Sequence, residues 1–330
     1  MEERKVVKIG NIQLDNPIVA APLAGISNPV YREMCRNFGA GLVVSEMISD
    51  KALHYQNKKT QDMCATSGKE HPVALQLFGS DTETMAEASE YLSKNTDCDI
   101  IDINMGCPVN KVLKAHSGSY LLQDVEEAYQ IMKAVKEHTD RPVTVKIRAG
   151  WDKEHINCVE IAQAAEKAGL SAIAIHARTR AQMYSGEANY EYIRMVKDAV
   201  NIPVIGNGDI KTVDDAKRML AETKCDAIMV GRGILGKPYF LQELKAYFCG
   251  GEYEAPSCID RLDMVLDYTH KLCAYESEKK GIRMMRGMLA WYIAGMPHAA
   301  KYKNAFSMVN TEQEVIELVE EYKKRLENSR

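Results

Sequence analysis

The chain has 330 residues, 46% apolar and 27% charged, with a formal net charge of −4. That composition belongs to a soluble globular protein of one to three domains; it argues against broad electrostatic attraction to nucleic acid while leaving room for a local basic patch. No apolar segment reaches the length of a membrane span, the opening MEERKVVKIG lacks the apolar core of a signal peptide, and the nine cysteines are scattered with no C-x-x-C pair, so a cytoplasmic protein with neither a disulfide framework nor a zinc site is expected.

Eight short runs rich in Val and Ile follow one another: PIVAAPLA (17–24), GLVVSEM (41–47), PVALQLFG (72–79), DIIDINMG (99–106), PVTVKIRAG (142–150), SAIAIHAR (171–178), IPVIGNGD (202–209) and DAIMVGRG (226–233). The segments between them, such as TETMAEASEYLSKN and VEEAYQIMKAVKEH, have helical period. Eight such units predict an α/β fold, a (β/α)8 TIM barrel, which typically takes about 250 residues. A doubly wound sheet would usually have fewer strands and a glycine-rich dinucleotide loop after the first. Here PLAG follows the first run, and the glycine-rich loops follow the seventh and eighth. Beyond FCGGEYEAPS (248–257), which reads as a linker, strand-like runs cease and three helical stretches follow. A barrel domain over 1–250 and a small all-α domain over 255–330 are expected.

Side chains alternate along a strand, so one set faces the lumen and the other the helices. Val73, Leu75 and Leu77 oppose Ala74, Gln76 and Phe78; Ile101 and Ile103 oppose Asp102 and Asn104. Val143, Val145 and Ile147 oppose Thr144, Lys146 and Arg148; Ile173 and Ile175 oppose Ala172, Ala174, His176 and Arg178. With the branched apolar set against the helices, Gln76, Asn104, Lys146 and His176 converge at the C-terminal mouth, where barrel enzymes keep their active sites. Any one of these residues has an ordinary structural explanation; four on successive strands with one parity point to a site.

GNGDIKTVDD follows the seventh run, with Thr212 and Asp215 as a helix-capping pair, and GRGILGKP follows the eighth, with Pro238 suited to a first helical turn. Glycines let backbone N–H groups close around an anion, and these two loops are the usual phosphate site of the fold. Arg232 adds a charged donor. The phosphate could belong to a sugar, to flavin mononucleotide (FMN) or to pyridoxal phosphate, for which Lys146 would be the Schiff-base lysine. The Gln76/Asn104/Lys146/His176 set suits a flavin better: a flat ring with many acceptors wants donors along its edge, and a cation there stabilises the anionic reduced form.

APLAGISNPVYR (21–32), LQLFGS (75–80), DINMGCPVNKV (102–112), VTVKIRAGW (143–151), IHARTRAQMYSGEANY (175–190), GNGDI (206–210) and GRGILGKPYF (231–240) together resemble the flavin-dependent tRNA-dihydrouridine synthases, with the bacterial B-type group the nearest match. The resemblance covers nearly the whole barrel in order. It implies an FMN barrel and a C-terminal helical domain that helps hold tRNA, with NADPH (or NADH) as reductant. Pro22, Leu23 and Ala24 would lie against the isoalloxazine; Gln76 and Lys146 would bind its polar edge and His176 would sit near the ring or ribityl chain. Asn207, Gly208, Asp209, Gly231 and Arg232 would hold the phosphate end, and Asn104 and Arg178 would contact the target uracil or nearby RNA. Cys107, set on a Gly-Cys-Pro turn, would donate the proton; a thiol with a pKa near 8.5 is mostly protonated at neutral pH. The base must leave the folded tRNA to reach it.

The chain departs from the family pattern at Ser27-Asn28, where a Thr-Asp pair is common, at Leu23, often Met, and at Arg286-Gly287-Met288, where a basic triplet is common. Lys279, Lys280, Arg283, Arg286, Lys301 and Lys303 lie in a stretch without Asp or Glu. Lys279, Arg283 and Arg286 share a helix face by spacing and are assigned to tRNA phosphates. Two rival readings are an FMN oxidoreductase acting on small dihydropyrimidines, which would not need the basic helical domain, and a tRNA-binding protein that has lost turnover, against which intact Cys107 and Lys146 argue.

Overall fold

The computed structural model describes residues 6–328; the opening MEERK and the last two residues of the expected final helix lie outside the described residues. The strands are β1 (Lys8–Ile9), β2 (Ile12–Gln13), β3 (Ile18–Ala20), β4 (Leu42–Ser49), β5 (Val73–Phe78), β6 (Ile100–Met105), β7 (Val143–Arg148), β8 (Ala172–His176), β9 (Val204–Asn207) and β10 (Ala227–Val230). β3 to β10 close into a barrel in sequence order, every neighbouring pair parallel. Each of the eight predicted runs supplies one strand.

The parity reading holds. Val73, Leu75, Leu77, Ile101, Ile103, Val143, Val145, Ile147, Ile173 and Ile175 belong to the large core shared with the helices. The opposite set fills a separate lumen core, in which Val19, Val44, Ala74, Ile100, Ala172, Ala174, Ile205, Ala227 and Met229 pack together. Branched residues and alanines alternate in this interior, so large and small side chains together fill the taper of the barrel.

The β1–β2 hairpin was not foreseen, because two-residue strands leave no periodic signal. It inserts Val7, Ile9 and Leu14 into the lumen core and so closes the N-terminal end of the barrel. Burying Ile9 completely contributes about 1.5–3 kcal/mol. With that end plugged by hydrocarbon, the C-terminal mouth is the open end.

Residues 250–257 carry no regular element. Four helices follow, Cys258–Glu276, Glu278–Tyr292, Ala299–Met308 and Glu312–Glu327. Ser257 and Asp260 form a capping box at the first. Ser277, at φ 119°, breaks what read as one continuous helical run, and Ala299–Met308 was not expected. Tyr268 bridges the helical region to the barrel: its ring lies 6.4 Å from Tyr31, on the barrel helix Pro29–Asn37, and 6.3 Å from Tyr292. The loop after β10 presses on the same region at Gly236 (φ 66°), where a Cβ would come within 2.3 Å of the Trp291 carbonyl carbon. Among the described residues, no helix is long and apolar enough to cross a membrane.

Candidate active site

A cleft of about 1100 Å³ opens at the C-terminal end of the barrel. Pro22, Leu23 and Ala24 form one wall. Gln76, Asn104, Cys107, Lys146, Arg148, His176 and Tyr184 supply its polar lining, and Asn207–Lys211 and Gly231–Gly233 line it from the segments at the ends of β9 and β10.

The Pro22–Ala24 wall is held from behind. The Leu23 N–H donates to Ser27 Oγ at 2.9 Å, and the Gly25 N–H donates to Glu46 Oε2 at 2.5 Å. Arg32 donates to the Ser27 carbonyl at 2.8 Å and makes a bidentate pair with Glu70 at 2.6 and 3.0 Å, both side chains buried. Side chains outside the cleft thereby order the strap and leave its inner face apolar.

Gln76 and Asn104 belong to a continuous hydrogen-bonded chain. Thr144 Oγ1 and Gln76 Nε2 donate to the two Asp102 oxygens at 2.5 and 2.6 Å. Asn104 Nδ2 donates to Gln76 Oε1 at 2.8 Å. Asn104 Oδ1 accepts the Gly106 and Cys107 N–H groups at 3.2 and 2.9 Å. The strand register makes this possible, pairing Gln76 with Asp102, Asp102 with Thr144 and Asn104 with Lys146.

The Cys107 turn is tied on its other side as well. The Cys107 carbonyl accepts from Ser119 N and Oγ at 3.1 and 2.8 Å, and the Gly106 carbonyl accepts from Arg148 Nε at 2.8 Å. Burial pushes the thiol pKa up; the Val109 N–H and the charges of Arg148 and Lys146 offset part of that rise. The thiol is therefore a protonated, half-buried acid at neutral pH. The Lys146 ammonium, 3.3 Å from Asn207 Oδ1, is brought down to about 8, chiefly by burial and then by Arg148. Burial, reinforced by Lys146, Arg148, Arg178 and Arg232, drives the His176 pKa far below its ordinary value, so the ring is neutral. Arg178 Nη1 lies 3.4 Å from His176 Nε2, and a guanidinium only donates, which puts the ring proton on Nδ1.

Most of the residues singled out in the sequence meet in this cleft: Pro22, Leu23, Ala24, Gln76, Asn104, Cys107, Lys146, His176, Asn207, Gly208, Asp209, Gly231 and Arg232 all line it. Arg178 does not. It is buried outside the lining, donating to Asp209 at 2.6 Å and to the Ser185 and Gly186 carbonyls at 3.1 and 2.5 Å. Lys279, Arg283 and Arg286 lie on the helix Glu278–Tyr292, outside the cleft. Lys279 and Arg283 are exposed, whereas Arg286 donates to the Val309 carbonyl and Asn310 Oδ1 at 2.5 and 2.6 Å. The acid-free stretch does not stay acid-free in space, since Lys280 pairs with Glu276 and Lys301 with Glu321.

Met47, Arg148, Tyr184 and Lys211 also line the cleft and had been given no role. Arg148 carried the lumen parity that identified Lys146. Tyr184 sits in an irregular loop with no periodicity to reveal it; its ring lies under Arg232 at 4.6 Å and near Arg148 at 5.6 Å. The cleft thus combines an apolar Pro22–Ala24 segment, amide and ammonium donors, a glycine-lined region carrying Lys211, Arg232 and Asp209, and one protonated thiol. Among the described residues, no group of three or more His, Cys, Asp or Glu side chains is placed to hold a metal.

An eight-stranded parallel barrel with convergent polar side chains at its mouth has the architecture of a (β/α)8 enzyme. The family model described as dihydrouridine synthase (Dus) matches residues 18–327, and the chain belongs to that family. It is 38% identical over 307 residues to a protein of Rickettsia bellii named probable tRNA-dihydrouridine synthase, covering 92% of this chain and 94% of that one. It is 39% identical over 317 residues to tRNA-dihydrouridine synthase B of Vibrio vulnificus, covering 96% and 98%. It is 38% identical over 303 residues to tRNA-dihydrouridine synthase B of Pseudomonas aeruginosa, covering 92% and 91%. A crystal structure of TcOYE with pHBA superposes with a TM-score of 0.55 at 13% identity, over 74% of this chain and 92% of that one, which shows the shared barrel fold.

Proposed function

We propose that the protein reduces the C5=C6 bond of uridines in tRNA to dihydrouridine, using bound FMN that NADPH (or NADH) reduces again. The observation that carries this reading is the meeting of Cys107, Lys146, Gln76 and Asn104 in one cleft with an apolar strap and a glycine-lined region carrying Lys211, Arg232 and Asp209. That donor set fits FMN. The Pro22–Ala24 strap matches a flat ring, Gln76 and Lys146 match its polar edge, and Asn207–Asp209 with Gly231–Arg232 match a phosphorylated tail. His176, neutral, sits between the two groups as a partner for the ring or ribityl chain.

FMN bound there supplies the hydride that uracil C6 receives. The remaining work falls to the chain's own residues. Cys107 holds a proton at Sγ and would deliver it to C5, so that one hydride and one proton together add two hydrogens across the double bond. Lys146 lies close enough to raise the acidity of that thiol and to favour the thiolate left behind. The remaining N–H of Asn104 faces a uracil carbonyl. Arg178 acts on the substrate only through Asp209 and the 185–186 segment that it holds.

Residues 1–250 then form the catalytic domain and 255–330 the domain that holds tRNA, with Lys279 and Arg283 toward its phosphates. Arg286 braces the helices of that domain instead. The reading places the protein in the cytoplasm with its substrate. Purified holoprotein, NADPH and unmodified tRNA, followed by nucleoside mass spectrometry, test it: dihydrouridine must appear in tRNA. Turnover of free dihydropyrimidines with none on tRNA would favour the small-molecule oxidoreductase.

A further inference from the structure

The chemistry above gives no part to Asp102, yet the lumen is organised around this carboxylate. It is 4% exposed, and burial raises its pKa against the pull of Thr144, Gln76 and Lys146. Both of its oxygens accept hydrogen bonds, and from one of them the chain runs through Gln76 and Asn104 to the backbone of Cys107.

The direction of that chain is fixed from its far end. Backbone N–H groups only donate, so the Asn104 atom facing Gly106 and Cys107 is its oxygen. Its nitrogen then faces Gln76, which must present its oxygen. The Gln76 nitrogen is left facing Asp102, which must accept. The Gln76 nitrogen only donates, so Asp102 Oδ2 ends the chain as an acceptor whichever way Thr144 Oγ1 and Asp102 Oδ1 share a proton. Asn104 Oδ1 is already taken by two N–H groups, and what Asn104 shows the cleft is an N–H. That edge pairs with a carbonyl, as uracil has at C4, and opposes the amino group of cytosine.

We infer that Asp102 is a positioning residue: as the acceptor terminus it sets the amide polarity of Gln76 and Asn104, and through Asn104 it holds the turn that carries Cys107. Where it concerns turnover the inference rests on the proposed function; where it concerns the thiol it rests on geometry alone.

The test compares Asp102→Leu, which removes the acceptor at similar volume, with Asp102→Asn, which keeps an oxygen for Gln76. Two quantities are read on folded holoprotein: the rate at which iodoacetamide labels Cys107, followed on its peptide by mass spectrometry, and kcat and KM for tRNA. Asp102→Leu should free the turn and label Cys107 about threefold faster or more, since thiol reactivity follows exposure. Its kcat per bound flavin should fall about 10- to 100-fold, as expected for stranding a buried donor, with KM for tRNA within about twofold. Asp102→Asn should recover most of both.

Gln76→Leu cuts the chain one link further on and should label faster as well; if Asp102→Leu does not fold, this variant carries the test. Wild-type labelling in the Leu variants, or an Asn variant no better than Leu, overturns the inference. If labelling changes as described while even the wild type leaves tRNA uridines unreduced, the positioning role stands and the enzymatic reading falls. If the wild type reduces uridine and labelling does not change, the reverse holds.

Discussion

Arg178 and Asp209 form an ion pair at 2.6 Å that joins the cleft lining, where Asp209 lies, to a buried guanidinium outside it, the Arg178 side chain 2% exposed and the carboxylate 21%. Partial burial alone would raise the Asp209 carboxyl; the Arg178 donor, the Ala188 N–H and the Arg232 charge outweigh it and hold the group below its ordinary value. The pair anchors two segments, since Arg178 also binds the Ser185 and Gly186 carbonyls. Arg178→Leu should therefore cost about 2–3 kcal/mol in urea unfolding, less than a fully buried pair because Asp209 is partly solvated. Because the folded carboxyl titrates lower than the unfolded one, this stabilisation is present above the unfolded value near 3.9 and fades as pH falls through the folded one. The difference between wild type and variant should shrink on acidification. A variant as stable as wild type at pH 7 contradicts the assignment.

Lys146 also makes stability rise with pH, but in an alkaline window and by relief of a penalty rather than gain of a pair. Its folded pKa, about 8, lies below the value near 10.4 of an unfolded lysine, so between these the unfolded chain binds more protons and wild-type stability rises with pH. In flavin-free protein, Lys146→Met should melt higher than wild type at pH 7, and the gap should close between about pH 8 and 10.4 as wild type sheds its buried charge. A gap that stays constant or widens over that window would show that the ammonium is not desolvated. The same variant should retain less flavin.

The three basic residues grouped by helical spacing divide in placement: Lys279 and Arg283 are exposed, and Arg286 is engaged by Val309 and Asn310. Lys279→Ala and Arg283→Ala should each reduce the slope of log affinity for tRNA against log salt by about 1, as loss of one phosphate contact does. Arg286→Ala should leave that slope unchanged and lower stability by about 1–3 kcal/mol, because its donors serve Val309 and Asn310. Filter binding across a salt series, beside thermal melts, separates the two effects. An Arg286 variant with a reduced slope would return it to the RNA surface.

The barrel was legible because every strand, buried on both faces, needs a dense run of Val and Ile, and because Gln76, Asn104, Lys146 and His176 interrupt those runs with one parity. Local spacing reveals which way a side chain points; it does not reveal what meets it there. Arg178 had the lumen parity, yet its partner Asp209 comes from the next strand–helix loop, 31 residues later. Arg286 shared a face with Lys279 and Arg283, yet its partners come from beyond the following helix. Tyr184 lies in a loop whose course is fixed by Arg148 binding the Thr179 and Met183 carbonyls at 2.9 and 2.8 Å, a contact with no periodic trace. Asp102 looked like one more polar residue on a strand, and its importance appears only once the register sets it between Gln76 and Thr144.

Under the proposed function, the Cys107 thiol would supply the proton added to the pyrimidine and a bound flavin would supply the hydride. The direct measurement mixes anaerobically reduced holoprotein with unmodified tRNA and follows flavin reoxidation together with dihydrouridine by nucleoside mass spectrometry, in wild type and Cys107→Ala. Wild type should reoxidise its flavin as it forms one dihydrouridine per flavin; Cys107→Ala should keep its flavin and bind tRNA yet form product at least about 10²-fold more slowly, the lower range for loss of a general acid. Equal rates in the two proteins would contradict the claim.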